Sequence, residues 1–200
     1  MTMEKLFATP FYRARLEEAA LLKALAYSAQ TLAREDKAGR KWSADKGYQG
    51  YTSYASLNDL PQRDPDFAAL KRHLDRHVQI FAAQAHMDLG GRKLKLDSLW
   101  VNILKPGGAH SGHIHPHAIV SGTIYIKVPK GSGALRLEDP RLPLMMAAPS
   151  RTDDAPPEAQ NFFYAEPQVG SIFLWESWVR HEVMPNLAHS ARISISFNYG

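Results

Sequence analysis

The sequence predicts one α+β domain of mainly β structure, with N-terminal helices packed on a sandwich or barrel of strands. In the first ninety residues, apolar side chains recur every three or four positions, which is typical of amphipathic helices. From residue 91 onward, short β-branched and aromatic runs alternate with Gly- and Pro-rich joints, which is typical of strands and turns. Helices followed by strands indicate an α+β fold. The predicted organisation is a single domain over 1–200, with a helical part, 1–90, and a β core, 91–200.

Two helices are predicted in the helical part. The first covers residues 16–33 and is expected to stop near Gly39, because glycine commonly ends helices. The Gly-, Ser-, Tyr- and Asp-rich residues 42–65 predict an ordered loop. The second helix is expected to start at Asp64, an N-cap residue in front of a proline, and to continue to Ala85.

Five runs in the β core have the composition of strands. Between two of them, residues 141–166 form a Pro-, Ala- and Asp-rich loop, and long loops in compact domains are often functional. We expect this loop and the Tyr-rich segment 48–54 to shape the opening of a substrate site. The five predicted strands are LKLDSLWVNILK, AIVSGTIYIKVP, GALRLEDP, SIFLWESWV and ARISISFNY.

Composition excludes several classes of function. The chain has no cysteine, which rules out disulfide scaffolds, Cys-based zinc sites, iron–sulfur clusters and thiol nucleophiles. The net charge of +4 is spread along the chain, so a nucleic-acid partner is not indicated. No apolar run is long enough for a membrane span, and the N-terminus carries no signal-peptide pattern, so a cytoplasmic protein is expected.

A cluster of histidines is the most prominent motif. His110, His113, His115 and His117 lie within eight residues, between two predicted strands. Neutral imidazole is the commonest metal ligand in proteins. Residues separated by one position in an extended chain point to the same side, so a His-x-His pair can bind one metal ion. The spacing therefore predicts a metal site.

Two later strands supply further polar candidates. His181 lies just after the predicted strand SIFLWESWV and is the obvious third metal ligand. In the last strand, Arg192, Ser194 and Ser196 alternate with apolar residues, an arrangement that can direct polar groups into a barrel interior. Arginine suits bidentate carboxylate recognition. Tyr125 lies on the polar face of the middle strand and can add a hydroxyl group to the same pocket.

These motifs resemble those of the 2-oxoglutarate/iron(II)-dependent oxygenases, and more narrowly a bacterial and phage branch of them. A His-x-His pair is followed by His181, 66 residues after His115, and by Arg192, 11 residues further on. The resemblance extends over most of the chain. The segments that carry it are LFATPFY, the stretch that begins Trp100-Val-Asn-Ile, HIHPHAIVSGTIYIKVP, LRLEDPR, PQVGSIFLWESWVRHEVMPN and RISISFN.

The resemblance implies a double-stranded β-helix, a jelly-roll or cupin-like barrel with a metal at one open end. It places His113, His115 and His181 on the metal-ligand positions and Arg192 on the position that binds the distal carboxylate of 2-oxoglutarate. It implies Fe(II) and 2-oxoglutarate as cofactors, O2 as cosubstrate, and hydroxylation of an unknown primary substrate with release of succinate. No catalytic residue is expected beyond the metal ligands. Further candidates for the cofactor site are Tyr125, Ser194 and Asn102.

One departure from the family pattern concerns the ligand set. The usual set is two histidines and one carboxylate, but His115 stands where Asp or Glu is usual. The residues alone therefore indicate a divalent metal, and iron follows from the resemblance. His110 and His117 remain alternative ligands at this stage. The carboxylates considered as replacements, none of which has the family spacing, are Glu176, Glu182 and Asp139.

Two other functions are compatible with the motifs. A cupin-type metal-binding barrel shares the glycine, His-x-His and later His pattern, but the glutamate expected after the pair is missing. Arg192 separates these hypotheses, because only the oxygenase needs it in the pocket. The other alternative is a non-enzymatic sensor of metal or keto acid, since three histidines without a carboxylate leave the redox behaviour open. A homodimer is compatible with a barrel that has a helical face.

Several weaker patterns favour structural roles. His73 and His77 are four residues apart on the second helix, but no zinc-protease glutamate accompanies them, so a solvated helix face is favoured. Ser194 and Ser196 lack a nearby Asp–His relay, so a hydrolase triad is not expected. Four aromatic residues can form either a water-excluding wall at the metal or plain barrel core: Trp100, Phe173, Trp175 and Trp178.

Overall fold

The computed structural model describes residues 2–200, which form two antiparallel sheets that enclose a cavity, with helices packed on the outer face of the larger sheet. The helices are α1 (Ala19–Glu35), α2 (Lys37–Asp45), α3 (Leu60–Arg63) and α4 (Pro65–Gln84). The strands are β1 (Phe11–Arg15), β2 (Gly50–Thr52), β3 (Leu96–Leu104), β4 (His110–His113), β5 (Val120–Lys127), β6 (Leu135–Glu138), β7 (Phe162–Ala165), β8 (Ser171–Glu176), β9 (His181–Val183) and β10 (Arg192–Tyr199).

From β3 onward, the strands are shared between the two sheets. The larger sheet has the order β1-β8-β5-β10-β3-β2, and the smaller sheet has the order β4-β9-β6-β7. The chain therefore crosses repeatedly from one sheet to the other, which is the topology of a double-stranded β-helix. The predicted α+β fold and its barrel type are confirmed. The helical part also adds β1 and β2 at the edges of the larger sheet, and these strands are too short to show a two-residue period.

Side-chain capping marks where α2 and α4 begin. The side chain of Asp64 accepts a hydrogen bond from the amide of Asp66 at 2.7 Å, which confirms the predicted start of α4. The predicted helix stop near Gly39 is wrong, because α1 ends at Glu35 and Gly39 lies within α2. The carboxylate of Asp36 caps α2 by accepting from the Gly39 amide at 2.9 Å. A Cβ atom on Gly39 would overlap this carboxylate, so the glycine permits the close approach.

The predicted loops contain more structure than expected. Residues 42–65 include the end of α2, all of β2 and α3, and the start of α4. Residues 141–166 are mainly irregular, with two short 3-10 turns, and end in β7 at the edge of the smaller sheet. Strand β7 was not predicted, because it has four residues and follows a long irregular segment.

The last strand separates the interior into two environments. Ile195 and Phe197 of β10 pack into a large apolar cluster with α1 and α4, whereas Arg192 and Ser194 point to the opposite face and line the cavity between the sheets. Gly122 of β5 lies against the Phe197 ring, and a Cβ atom there would overlap it. The apolar layer therefore supports the sheet from behind, while its other face is free to carry polar groups.

No helix in the chain from residue 2 to residue 200 is both long enough and apolar enough to cross a membrane.

We predict that truncating the helical layer destabilises the whole domain. Leu74 of α4 is fully buried in the large cluster, so Leu74→Ala should lower the free energy of unfolding by about 2–5 kcal/mol through lost burial and a residual cavity. The matched control is Leu187→Ala at a residue 79% exposed, which should change stability by less than about 0.5 kcal/mol. Urea unfolding followed by circular dichroism measures both. Equal losses would contradict the assignment of α4 to the core.

Candidate metal centre

Three histidines meet at the end of the smaller sheet. His113 of β4 and His181 of β9 are direct partners in the strand register, and His115 follows β4 two residues after His113. The ring centroids of His113 and His181 are 4.4 Å apart, and the His115 ring is 5.1 Å from the first and 5.0 Å from the second. Three ring nitrogens, one from each histidine, all lie within 4.8 Å of one another. In the part of the chain described, this is the one group of three or more metal-binding side chains.

Hydrogen bonds fix which ring nitrogen each histidine can offer. The Nδ1 atom of His113 is 2.7 Å from the carbonyl oxygen of Ser111, and the Nδ1 atom of His181 is 2.9 Å from that of Val179. A carbonyl oxygen only accepts, so both Nδ1 atoms carry the proton and donate. The Nε2 atom of each ring therefore keeps its lone pair. Such bonds to the far nitrogen orient metal-binding histidines in proteins.

His115 is held by side chains from two strands of the larger sheet. Its Nδ1 atom is 2.6 Å from Oδ1 of Asn198 and 2.8 Å from the hydroxyl of Ser121. Because the amide oxygen of Asn198 accepts, Nδ1 of His115 donates and its Nε2 atom is also left with a lone pair. Ser121 in turn lies 2.7 Å from the hydroxyl of Ser177. This polar network ties the third imidazole to β5 and β10.

The protonation of these rings favours metal binding. Burial lowers the pKa of His181 to about 3, and the neighbouring imidazole of His113 lowers it further. Burial also lowers the pKa of His115, an effect that the hydrogen bond from His115 to Asn198 partly offsets. These two rings are therefore neutral at pH 7, which is the form that binds metal ions.

No carboxylate joins the three imidazoles. Glu182 forms an ion pair with Arg136 at 2.5 Å, and the carboxylate of Glu176 accepts from the indole of Trp178 at 2.8 Å. Asp139 pairs with Arg141, so all three carboxylates considered from the sequence are engaged elsewhere. The ligand set offered by the fold is three histidines without a carboxylate.

A cavity of about 670 Å³ lies between the sheets and includes the three histidines and Arg192 among its lining residues. Arg192 is only 1% exposed, and one of its terminal nitrogens donates to the carbonyl oxygens of Ser132 and Gly133 at 3.3 and 3.4 Å. Its Nε atom is buried and has no hydrogen-bond partner within residues 2–200. No carboxylate of the described chain lies within ion-pair distance of its guanidinium. A buried, unpaired cation of this kind fits an anionic ligand.

The other predicted cofactor-site residues also line the cavity. The Tyr125 ring lies below the Arg192 guanidinium, whose carbon is 5.4 Å from the ring centroid. Ser194 is the next cavity-facing residue of β10. Asn102 of β3 accepts from the hydroxyl of Thr52 at 2.9 Å and donates to that of Ser196 at 3.1 Å. The fold therefore brings Tyr125, Ser194 and Asn102 into one cavity with Arg192.

The alternative histidines lie outside the metal group. His110 lines the cavity, but its Nε2 atom is 2.6 Å from the hydroxyl of Tyr48. His117 is exposed. His77 of α4 is 2.9 Å from the hydroxyl of Tyr12, and His73 lies 3.1 Å from a carboxylate oxygen of Glu18, so neither contributes to a metal site. The Tyr48–His110 pair was not predicted, because its members are 62 residues apart and no local pattern links them.

Of the four aromatic candidates, two line the cavity, one packs in the core and one lies at the surface. Trp100 and Trp175 line the cavity, and their ring centroids lie 6.0 Å from His115 and 4.6 Å from His181, respectively. The indole Nε1 atom of Trp175 is buried without a hydrogen-bond partner in the described residues, a free donor that the sequence did not reveal. Phe173 packs in the core against Tyr125, and Trp178 is half exposed.

Two segments were expected to shape the opening of the site, and only one of them lines the cavity. Tyr48, Gln49, Thr52 and Tyr54 line the cavity, so the segment 48–54 lies where the hypothesis placed it. None of the described lining residues comes from 141–166. That long loop instead leads along the smaller sheet into its edge strand.

The buried histidines should make the metal-free protein sensitive to acid. Burial lowers the pKa of His110 to about 3, as it does for His181, whereas both titrate near 6.5 when unfolded. Between these values the unfolded chain takes up protons that the folded chain does not. The stabilisation is therefore full above about pH 6.5 and is lost as the pH falls, by roughly 1 kcal/mol per pH unit for each histidine.

Urea unfolding of metal-free protein between pH 7 and pH 4 measures this slope. His110→Gln should make the loss of stability with falling pH shallower by the contribution of one histidine. The matched control, His189→Gln at an exposed position, should leave the slope unchanged. A slope that His110→Gln does not alter would contradict the neutral, buried state of His110.

The comparisons with known proteins agree with this geometry. A family model described as "Putative 2OG-Fe(II) oxygenase" matches residues 98–198, which include the three histidines and Arg192. A search of curated protein sequences gives no match.

Several solved enzyme structures have a similar fold. One is a Pseudomonas putida prolyl-4-hydroxylase, with 18% identity, a TM-score of 0.64, and coverage of 96% of this chain and 92% of that chain. Another is the epimerase SnoN in complex with Fe3+, alpha ketoglutarate and nogalamycin RO, with 13% identity, a TM-score of 0.68, and coverage of 96% and 79%. A third is HygX from Streptomyces hygroscopicus with nickel, 2-oxoglutarate and hygromycin B bound, with 15% identity, a TM-score of 0.62, and coverage of 96% and 83%.

At these identities the structural likeness shows the fold, whereas the family model covers half of the chain and contains its metal motif. The chain therefore belongs to the 2-oxoglutarate/iron(II)-dependent oxygenases, a family of oxidoreductases that use Fe(II) and 2-oxoglutarate as cofactors.

Proposed function

We propose that the Nε2 atoms of His113, His115 and His181 bind iron(II), and that Arg192 binds the distal carboxylate of 2-oxoglutarate in the same cavity. The observation that carries this proposal is the buried guanidinium of Arg192, which has no carboxylate partner in residues 2–200 and shares its cavity with three hydrogen-bonded imidazoles. An unpaired buried charge is costly, so its retention is best explained by an anion that binds there.

The chain's own groups have distinct roles in this proposal. Arg192 holds the cosubstrate, and Tyr125 and Ser194 supply neutral hydroxyl groups beside it. Asn102 fixes the cavity wall through its bonds to Thr52 and Ser196. When bound, iron(II) and 2-oxoglutarate together activate O2 for insertion of oxygen into a C–H bond of the substrate, with release of carbon dioxide and succinate.

Two large apolar side chains flank the proposed metal ligands. Trp100 and Trp175 are both nearly fully buried and lie beside His115 and His181. They reduce the surface of these two imidazoles that water in the cavity can reach. Limiting contact with water limits side reactions and strengthens electrostatic contacts within the site.

The cupin-type barrel and the non-enzymatic sensor are not favoured by the family assignment. Arg192 lies in the cavity, as the oxygenase hypothesis requires and the cupin hypothesis does not. We also propose that residues 1–200 act as one domain, since α1 and α4 share a single apolar cluster with the larger sheet. The cytoplasmic location and the homodimer stay predictions.

Anaerobic titration of iron(II) into metal-free protein, with and without 2-oxoglutarate, tests the proposed site. The weak visible charge-transfer band of the iron chelate should appear only with both components and should be lost in His181→Ala. Arg192→Ala should weaken 2-oxoglutarate binding roughly 30-fold or more, because a desolvated charge pair is removed.

The matched control is Arg180→Ala, at an exposed arginine outside the cavity lining, which should leave the band and the affinity unchanged. Circular dichroism checks that each variant is folded. Tight metal binding without any band, or an affinity that Arg192→Ala does not alter, would contradict the proposal.

A further inference from the structure

We infer that the outer part of the cavity binds a planar, ring-containing small molecule that is neutral or anionic, in contact with the rings of Trp42, Tyr54 and Trp100. This inference rests on the proposed function, because it assigns a substrate class to the same cavity. It is carried by the arrangement of aromatic rings, which the binding of iron or 2-oxoglutarate does not require, and by the charges of the lining residues.

The three aromatic residues form a continuous series that leads inward to the metal ligands. The centroids of Trp42 and Tyr54 are 6.2 Å apart, and those of Tyr54 and Trp100 are 5.2 Å apart in an edge-to-face arrangement. Trp100 in turn lies 6.0 Å from the imidazole of His115. A ring in contact with these side chains would lie between the exposed rim of the cavity and the metal site.

Tyr54, the middle ring of the series, is half exposed. Tyr54 has 54% of its surface accessible, although it lies beside Trp42 and lines the cavity. A single exposed aromatic residue is ordinary. Three contacting rings on one wall of a concave site are different, since aromatic faces supply large, rigid contact surface for a ligand.

The charges on the lining favour a neutral or anionic substrate over a cationic one. None of the described residues that line the cavity is Asp or Glu, whereas Arg192 lies at its inner end and Lys46 at the exposed rim. The nearby carboxylate of Asp45 is paired with Lys41 at 2.6 Å. A bound divalent metal with three neutral ligands adds positive charge, part of which 2-oxoglutarate offsets. A cation could contact the aromatic rings but would find no carboxylate to pair with on the lining, so a neutral or anionic ligand is favoured.

The size of the cavity fits a small molecule. Its volume of about 670 Å³ falls within the roughly 300–1,000 Å³ typical of small-molecule sites. The keto acid occupies only the inner end near Arg192 in the proposed function. The remaining space lies between the aromatic series and the exposed rim.

Ligand-observed NMR with three probes of similar size tests this inference. The probes are indole-3-acetate, an aromatic anion; tryptamine, an aromatic cation; and cyclohexylacetate, an aliphatic anion. The full chain is used with Zn(II), which is diamagnetic, and 2-oxoglutarate, and again without either. Indole-3-acetate should bind at least tenfold more tightly than the other two probes.

Variants at the outer rings identify where the probe binds. Tyr54→Leu and Trp42→Leu should each weaken indole-3-acetate binding about threefold to tenfold through lost stacking. Lys46→Gln should reduce the preference for the anion over the cation. Tyr27→Leu, at a residue 71% exposed on α1 and outside the cavity lining, is the matched control and should have no effect.

The outcomes of these experiments distinguish failure of this inference from failure of the proposed function. Binding of tryptamine as tight as that of indole-3-acetate, equal binding of cyclohexylacetate, no binding of any probe, or insensitivity to Tyr54→Leu would overturn this inference. A normal iron–2-oxoglutarate band, measured on the same protein loaded with Fe(II) in place of Zn(II), would then leave the proposed function intact. Selective ring binding without that band would support the aromatic site and contradict the proposed function alone.

Discussion

The direct pairing of His113 with His181 across β4 and β9 is the contact on which the rest of the site depends. It places two imidazoles on the same end of the smaller sheet, and bonds from their Nδ1 atoms to nearby carbonyl oxygens fix the rings. His115 joins them only because Ser121 and Asn198 of the larger sheet hold it from the other side. The three-histidine group therefore exists only where the two sheets meet.

The meeting of the two sheets also encloses the positive charge of Arg192 in the cavity. Because β10 directs its apolar residues to the helices, Arg192 is turned into an enclosed space without a carboxylate partner in residues 2–200. With no acidic group in the ligand set either, a bound divalent metal would keep its full charge until anions enter. In the proposed function, cosubstrate binding depends on this positive charge, and in the further inference substrate selection depends on the same charge together with the aromatic wall.

Elements and motifs that depend on a short stretch of sequence were predictable, whereas contacts between strands far apart in the sequence were not. The five main strands, the start of α4 at Asp64 and the His113–His115 pair follow from local pattern. Arg192 was a candidate from the alternation in the last strand, and the resemblance supplied its expected role. The bond between His115 and Asn198 spans 83 residues and depends on strand register, which no local pattern records. Strands β4 and β9 have only four and three residues, too few to show a period.

A crystal structure of the anaerobic Fe(II) complex with 2-oxoglutarate, with anomalous data at the iron edge, would locate the metal and its ligands. We expect iron bound by Nε2 of His113, His115 and His181 at about 2.0–2.2 Å, typical of metal–imidazole bonds, with no protein carboxylate. We also expect the distal carboxylate of 2-oxoglutarate on Arg192. Iron bound by a carboxylate such as Glu182, or by a different set of histidines, would contradict the proposed metal site.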